Sequence, residues 1–303
     1  MPGPGTVAPV PELPEVESAR AVLAGGALDR RIVDIDDHDD WVTRPHAPGE
    51  LRAALLGRTF TAAHRRGKSM WLSTSDSGPG HGGPDLGMHL GMSGIVVVAG
   101  PAASSDPAGA PGSVDGDLIG GDYRRDREQF VDRGAYQRFG VTFADGGGVR
   151  LLDPRRLSRV RLDPPVEDLG PDALGLSPAD FRAALTSGRR VSTAPVKARL
   201  LDQSVLAGVG NLLADEALWR AKIHPARGVD TLRRPELDRL GRSLHDALTD
   251  AVAHGGVHTG TVIPFRRAGE RCPRCGGAME TATVGGRTTW WCAREQRPVR
   301  RRG

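Results

Sequence analysis

The hydrophobic period of this chain changes once, near residue 165, and that change bounds the fold. From Ile32 to Val160 the apolar residues come in short runs bounded by Gly, Pro and Asp: "RIVDI", "SMWLS", "GIVVVAG", "FGVTFA" and "VRLLD". Such runs predict the strands of a mainly β half. Within it, residues 99–129 are rich in Gly, Pro, Ala and Ser, and are expected to form a mobile loop with no core role. Past the linker "RLDPPVEDLGPDALG" the spacing becomes helical. "SPADFRAALTSG" opens on Ser177 as N-cap with Pro178 at N1 and stops at Gly188. "APVKARLLDQSVLAG", "NLLADEALWRAKIHP" and "RPELDRLGRSLHDALTDAVAHGG" continue in helical spacing, and residues 262–297 add a short cysteine-bearing strand unit. A chain of 303 residues has room for two domains, each with its own core.

Charge distribution narrows the partners. The overall formal charge is +4, but from Pro264 to the C-terminus ten arginines face three glutamates, a net of +7, so the remainder carries −3. A basic end of this kind suits a polyanion, because neutralising phosphates releases counterions; the plain reading is a solubilising arginine tail. No apolar run approaches the ~20 residues that span a bilayer, and the N-terminus lacks the basic and apolar regions of an export signal. Three cysteines argue against a disulfide scaffold and fit a reducing cytoplasm.

Two motifs carry chemistry. In "LLDQSVLAGVGNLLADEALW" two helices are separated by "AGVGN", whose Gly208 and Gly210 leave bare amides before a helix start near Asn211. Converging N–H groups and the helix dipole there make an anion site, to which Asn211 adds a donor and Lys197 a charge. The alternative is a plain helical hairpin with Asn211 as N-cap. Further on, "CPRC" is followed sixteen residues later by "WWCARE". Paired C-x-x-C knuckles hold tetrahedral zinc in small β units, and here Cys272, Cys275 and Cys292 fill three positions while Glu295 stands where a fourth cysteine is expected. Zinc on this set competes with a metal-poor finger held by Trp290 and Trp291 packing.

With "PELPEVE" at Pro11 to Glu17, "RRGKSMWL" around Lys68, "HLGMSG" at His89 to Gly94, "DPRRL" at Asp153 to Leu157 and "IHP", these motifs resemble the formamidopyrimidine-DNA glycosylase and endonuclease VIII family of base-excision repair enzymes. The resemblance runs from Pro11 to about Gln296. It implies an α+β chain: an N-terminal β-sandwich catalytic domain over 11–163 with one N-terminal helix, a helix-two-turn-helix DNA-binding domain over 170–261, a zinc-finger-like β-hairpin over 262–297 and a basic tail at 298–303.

It also implies a nucleophile, Pro11, acting through a free N-terminal secondary amine. An α-amino group has a pKa of roughly 7.7–8.0 against ~10.4 for lysine, so far more of it is neutral near pH 7. Glu12 then resembles the acid that protonates the sugar ring oxygen, with Lys68 beside it as a catalytic and phosphate-binding group. Glu15 sits near the lesion on a helix that Pro14 starts, docked through Val16, Ala19 and Leu23. Internal Pro11 has an acylated nitrogen, and "PGPG" after Met1 supplies no following Glu. Residues 1–10 are therefore expected to be missing from the mature protein, a GUG codon at Val10 serving as the start.

By similarity Met92, Arg155 and Leu157 are the wedge that fills the gap left by a flipped base, whose unstacking costs a few kcal/mol. Met92 taken alone reads as a core residue. The family's oxidised-purine branch usually has Phe where Leu157 stands, which weakens stacking on the opposite base. Lys68, Asn211, Arg287 and Lys197 are implied phosphate contacts, and His89 and His224 read as structural. "GGVHTGTVIPFRRAGERC" is short where members specialised for 8-oxoguanine carry a longer loop, so oxidised pyrimidines, formamidopyrimidines or abasic sites are the expected substrates.

The implied protein is a cytoplasmic, nucleoid-associated monomer acting on damaged double-stranded DNA. It forms a Schiff base and cleaves the strand by β/δ-elimination. A non-catalytic lesion-binding protein is the alternative; a zinc-dependent transcription factor is remote, since it has no use for an all-β half.

Overall fold

A computed structural model describes residues 11–75, 82–101, 117–121, 134–188 and 193–298. The chain divides into two compact units: residues 15–166, and residues 167–303 together with the segment that ends at Pro14.

The first unit holds two antiparallel sheets. One has the order β1 (Ile32–Asp36), β7 (Gln137–Phe143), β8 (Gly148–Leu152), β5 (Ile95–Ala99), β6 (Leu118–Gly121); the other runs β2 (Phe60–Arg66), β3 (Ser69–Thr74), β4 (Leu86–His89), β9 (Arg159–Leu162). Alternation in β3 buries Met70, Leu72 and Thr74, as a strand with one core face requires. Met70, Leu72 and Phe60 from one sheet share a core with Val96, Phe139, Phe143 and Leu151 from the other, which makes the unit a sandwich. Phe60 and Phe143 meet edge to face at 6.1 Å, a geometry that contributes about 0.5–1.5 kcal/mol beyond burial. Helix α1 (Leu13–Gly26) lays Val16, Ala19 and Leu23 into this core, as their spacing predicts, and starts one residue before Pro14.

Short helices α2 (Asp40–Thr43) and α3 (Glu50–Leu55) follow the N-terminal helix α1. One finding corrects the sequence reading of this half. The stretch expected to be a loop over 99–129 contains β6, which pairs with β5 and buries Ile119 against Ile95, Val97 and Leu152. That second cluster explains why β5 is apolar on both faces: Val96 and Val98 point to the main core while Ile95 and Val97 point away from it. The rest of the expected loop, 102–116 and 122–129, lies outside the described residues.

In the second unit α4 (Pro178–Thr186), α5 (Val196–Leu201), α6 (Asn211–Arg220) and α7 (Arg234–Ala253) enclose one core. Ser177 caps α4 by accepting from Asp180 N, with Pro178 at its first turn. In α7 Leu237, Leu240, Leu244 and Leu248 recur at three and four residues and are buried. Gln203 knits the turns between α5 and α6, donating from Nε2 to the carbonyls of Leu201 and Val209 and accepting from Gly208 N. The hairpin β10 (Met279–Val284) and β11 (Arg287–Cys292) turns through Gly285 and Gly286, whose φ of 61° and 71° suit the twist of a two-residue hairpin loop.

Candidate active site and metal centre

Pro11 to Pro14 belong with the helical unit. Leu13 is buried in its core and donates to the Gly208 carbonyl at 3.3 Å. Glu12, 2% exposed, accepts from the amides of Leu212 at 2.8 Å and Leu213 at 3.1 Å. Helix α6 has no side-chain cap of its own, and this carboxylate from the other end of the sequence serves instead. Gly210 makes room for it: a Cβ there would lie 2.1 Å from Glu12 Cδ. The anion site expected at "AGVGN" is thus filled by Glu12 of the same chain, and Asn211 is the first helical residue rather than the N-cap.

Lys197 departs from its expected role on a phosphate. Its ammonium is fully buried, donating to Asp215 Oδ1 at 2.6 Å and Thr289 Oγ1 at 2.8 Å. Asp215 Oδ2 accepts in turn from Arg266 Nε at 2.8 Å and Trp290 N at 3.1 Å. Burial pulls the Lys197 pKa below the usual lysine range, against the opposing pull of Asp215. Its position is explained by what it joins, since α5, α6 and β11 meet on this network. The hairpin so placed brings Asn211 and Arg287 together: Asn211 Nδ2 donates to the Thr288 carbonyl at 3.1 Å, and Arg287 is exposed beside it.

Other site residues expected from the sequence lie in the sheet unit. Register places the start of β3, the end of β4 and the start of β9 at one end of the four-stranded sheet, Met70 facing Met88 and His89 facing Arg159. Lys68, in the turn before β3, the Met92 loop and the Arg155–Leu157 loop all emerge there. Leu157 is 37% exposed, unusual for a large apolar side chain, Arg155 is exposed and Met92 partly buried. Glu15 is buried on α1.

Asp153 holds this end together, a role the sequence reading missed. Its Oδ1 accepts from Ser93 Oγ at 2.6 Å and Arg155 N at 3.0 Å, and its Oδ2 from Leu157 N and Ser158 N, both at 2.7 Å. Burial acts to raise its pKa, but Ser93 and the amides outweigh burial and hold it below the ordinary carboxylate range. Arg156, between Arg155 and Leu157 at φ 53°, is pinned by both carboxylate oxygens of Asp39. Glu17 was missed too. It pairs with Arg20 and Arg65, and Arg65 also donates to the Gly67 carbonyl next to Lys68, so α1 steadies that turn. His89 Nδ1 accepts from Gly91 N, while burial and the Lys68 charge push its pKa down. His224 packs edge-on against Trp291, its pKa lowered by burial.

In the finger, one ligand atom each from Cys272, Cys275, Cys292 and Glu295 lies within 4.8 Å of the others. The Trp219 indole N–H donates to Cys272 Sγ at 3.2 Å. Burial opposes ionisation of Cys272, but that bond and nearby amides hold its pKa below the ordinary thiol range; burial pushes the Cys292 thiol up to about 11. Glu295 accepts from Arg274 at 2.5 Å and pairs with Lys222 at 2.8 Å, cations that offset the negative charge of three thiolates and a carboxylate around a divalent ion. Trp219, Val262, Met279 and two of the cysteines form the small core beside the cluster.

A strand sandwich, a helix-two-turn-helix unit and a thiol-rich hairpin define a recognisable class of nucleic-acid protein. The formamidopyrimidine-DNA glycosylase N-terminal domain matches residues 10–160, the formamidopyrimidine-DNA glycosylase H2TH domain matches 169–262, and the zinc finger found in FPG and IleRS matches 269–294. The formamidopyrimidine-DNA glycosylase of Parafrankia sp. (strain EAN1pec) is 33% identical over 315 residues, covering 96% of this chain and 99% of the relative. That of Salinispora tropica is 34% identical, covering 96% and 98%. The Lactococcus lactis Fpg in complex with DNA containing an oxidized pyrimidine matches with a TM-score of 0.72 at 26% identity, covering 95% of this chain and 100% of that one. The chain belongs to the formamidopyrimidine-DNA glycosylase family. Its finger is arranged to bind zinc through Cys272, Cys275, Cys292 and Glu295, and the donor set fits the ion.

Proposed function

We propose that this protein is a bifunctional DNA glycosylase and abasic-site lyase acting on oxidised bases in double-stranded DNA. The observation that carries the reading is Glu12: a buried carboxylate, next in sequence to Pro11, fixed by two amides at a helix N-terminus. In its catalytic form the chain begins at Pro11, because an acylated nitrogen has no lone pair to give. The Pro11 nitrogen attacks C1′ of the damaged nucleotide, and the glycosidic electron pair leaves with the base, which takes up a proton. Glu12 supplies a proton to the ring oxygen as the C1′–O bond opens, and loss of the nitrogen's proton leaves a C1′ iminium. The iminium acidifies C2′–H; removing that proton expels the 3′ phosphate, and a second elimination expels the 5′ phosphate. Water hydrolyses the iminium and restores Pro11.

Met92, Arg155 and Leu157 fill the space of the extruded nucleotide in this scheme, and Glu15 borders the lesion. Lys68, Arg287 and the second N–H of Asn211 Nδ2 bind phosphates. Zinc has a structural part, fixing the hairpin that carries Arg287. The Lactococcus lactis Fpg complexes with abasic-site and oxidized-pyrimidine DNA support this substrate class. Borohydride trapping on abasic-site duplex tests it: protein starting at Pro11 is expected to form a covalent adduct and protein starting at Met1 none. Lesion binding without an adduct from either form would favour the non-catalytic reading.

A further inference from the structure

A cavity of about 440 Å³ opens in the sheet unit, lined by Arg44, Pro45, Ser69, His89, Arg159 and Arg161 among others. Three of these are arginines, and no carboxylate pairs with any of them among the described residues. Nearby arginines behave differently: Arg156 is paired with Asp39 and Arg52 with Asp34. Arg44 and Arg159 instead donate one N–H each to the carbonyls of Trp41 and Ser158. Three guanidinium charges around one cavity repel one another, and an anion between them would relieve that repulsion.

The cations are also pre-positioned. Trp41 is 50% exposed, with the Arg44 guanidinium 3.7 Å from its ring centroid and that of Arg159 at 5.5 Å. Each such interaction is worth about 0.5–1 kcal/mol at an exposed site, and together they hold two long side chains that would otherwise wander. Arg159 lies opposite His89 at the sheet end from which the Met92 and Leu157 loops emerge, and Ser69 follows Lys68. Guanidinium forks match phosphate oxygens in pairs, and an aromatic platform beside them tolerates a nucleotide.

We infer that Arg44, Arg159 and Arg161 form a phosphodiester-binding pocket that grips the DNA backbone beside the wedge loops, in addition to the phosphates bound by Lys68, Asn211 and Arg287. The inference rests on the DNA-repair reading above and extends its footprint.

The test compares R159Q/R161Q with wild type, both starting at Pro11, for binding to a duplex carrying a non-cleavable abasic analogue across a salt series. The slope of log K against log salt is expected to fall by roughly 0.9 for each phosphate that is no longer neutralised, with affinity at moderate salt down roughly three- to ten-fold. R161K is expected to keep most of the slope. R234Q/R242Q, which removes equal charge from positions on α7, is expected to leave it unchanged. Replacing the gripped phosphate with a neutral methylphosphonate should weaken wild type but not R159Q/R161Q. Equal slopes for R159Q/R161Q and wild type, with unchanged melting temperatures, would overturn the pocket. So would a weakening that R234Q/R242Q reproduces. Wild type that neither binds nor traps damaged DNA would instead overturn the underlying reading.

Discussion

Ser93 Oγ donates a 2.6 Å hydrogen bond to Asp153 Oδ1, and through that bond the loop bearing Met92 is tied to the loop bearing Arg155 and Leu157. The remaining Asp153 partners are backbone amides, so the carboxylate is a fixed centre around which both loops are shaped. Asp153→Ala leaves three amides and a hydroxyl unpaired and is expected to cost about 2–4 kcal/mol in urea unfolding. Ser93→Ala should cost only about 1 kcal/mol yet weaken lesion binding, measured by fluorescence anisotropy, because the loops lose their tie.

Acid sensitivity follows from groups with depressed native pKa values, among them Asp153, Glu17, His89 and His224. For each, the unfolded state binds more protons between its native and unfolded pKa, so its contribution is complete above the unfolded value and is lost as pH falls through the native one. The histidine part begins to fade below about pH 6.5 and the carboxylate part below about pH 4. Urea midpoints measured down a pH series should decline in those two stages; a midpoint that rises on acidification would contradict the assignment.

Gly210→Ala sets a methyl against Glu12. A Cβ placed 2.1 Å from Glu12 Cδ cannot be absorbed by a side chain that is itself buried. Stability is expected to drop by about 1–3 kcal/mol, and borohydride trapping by protein starting at Pro11 by roughly 100-fold, since a displacement of one ångström at a reacting group has that effect.

Lys197 and Arg287 separate by salt dependence. Arg287→Ala should lower the slope of log K against log salt by about 0.9 and leave the melting temperature in place. Lys197→Ala should leave the slope alone and destabilise by about 3–5 kcal/mol, because it strips a buried carboxylate of one of its two cations.

Glu295→Cys restores a four-thiolate set and should tighten zinc binding roughly 10–100-fold in a chelator competition. Removing the metal from wild type is expected to change tryptophan fluorescence, since the Trp219 indole donates to the thiol of Cys272.

What could be read from the sequence is what depends on neighbours along the chain. Ser177 announces α4 because its hydroxyl reaches an amide three residues on, and β3 and β5 announce themselves by apolar content. β2, "FTAAHRR", does not: its partners in β3 make it a strand, and its own side chains say little. β6 escaped for a similar reason, with Ile119 as its one large buried residue. Among the expected site residues, the cysteines stand out by type and spacing, whereas Pro11, Glu12 and Lys68 stand out only through the family resemblance of their motifs. Asp153 does not, because its ligands are mostly backbone amides that any sequence supplies, although Asp before Pro is a turn signal. Lys197 reads as a phosphate contact because a lysine just ahead of the glycine-rich turn would add charge to an anion site there. The clue to its burial was Asp215, an acid set among apolar residues in "NLLADEALW".

The Glu12 cap spans 200 residues of sequence. During synthesis the amides that hold this carboxylate do not exist until most of the polypeptide has left the ribosome. A nascent chain therefore carries Glu12 without its cradle, and the first residues of α1 cannot settle into the helical unit until translation of that unit is well advanced.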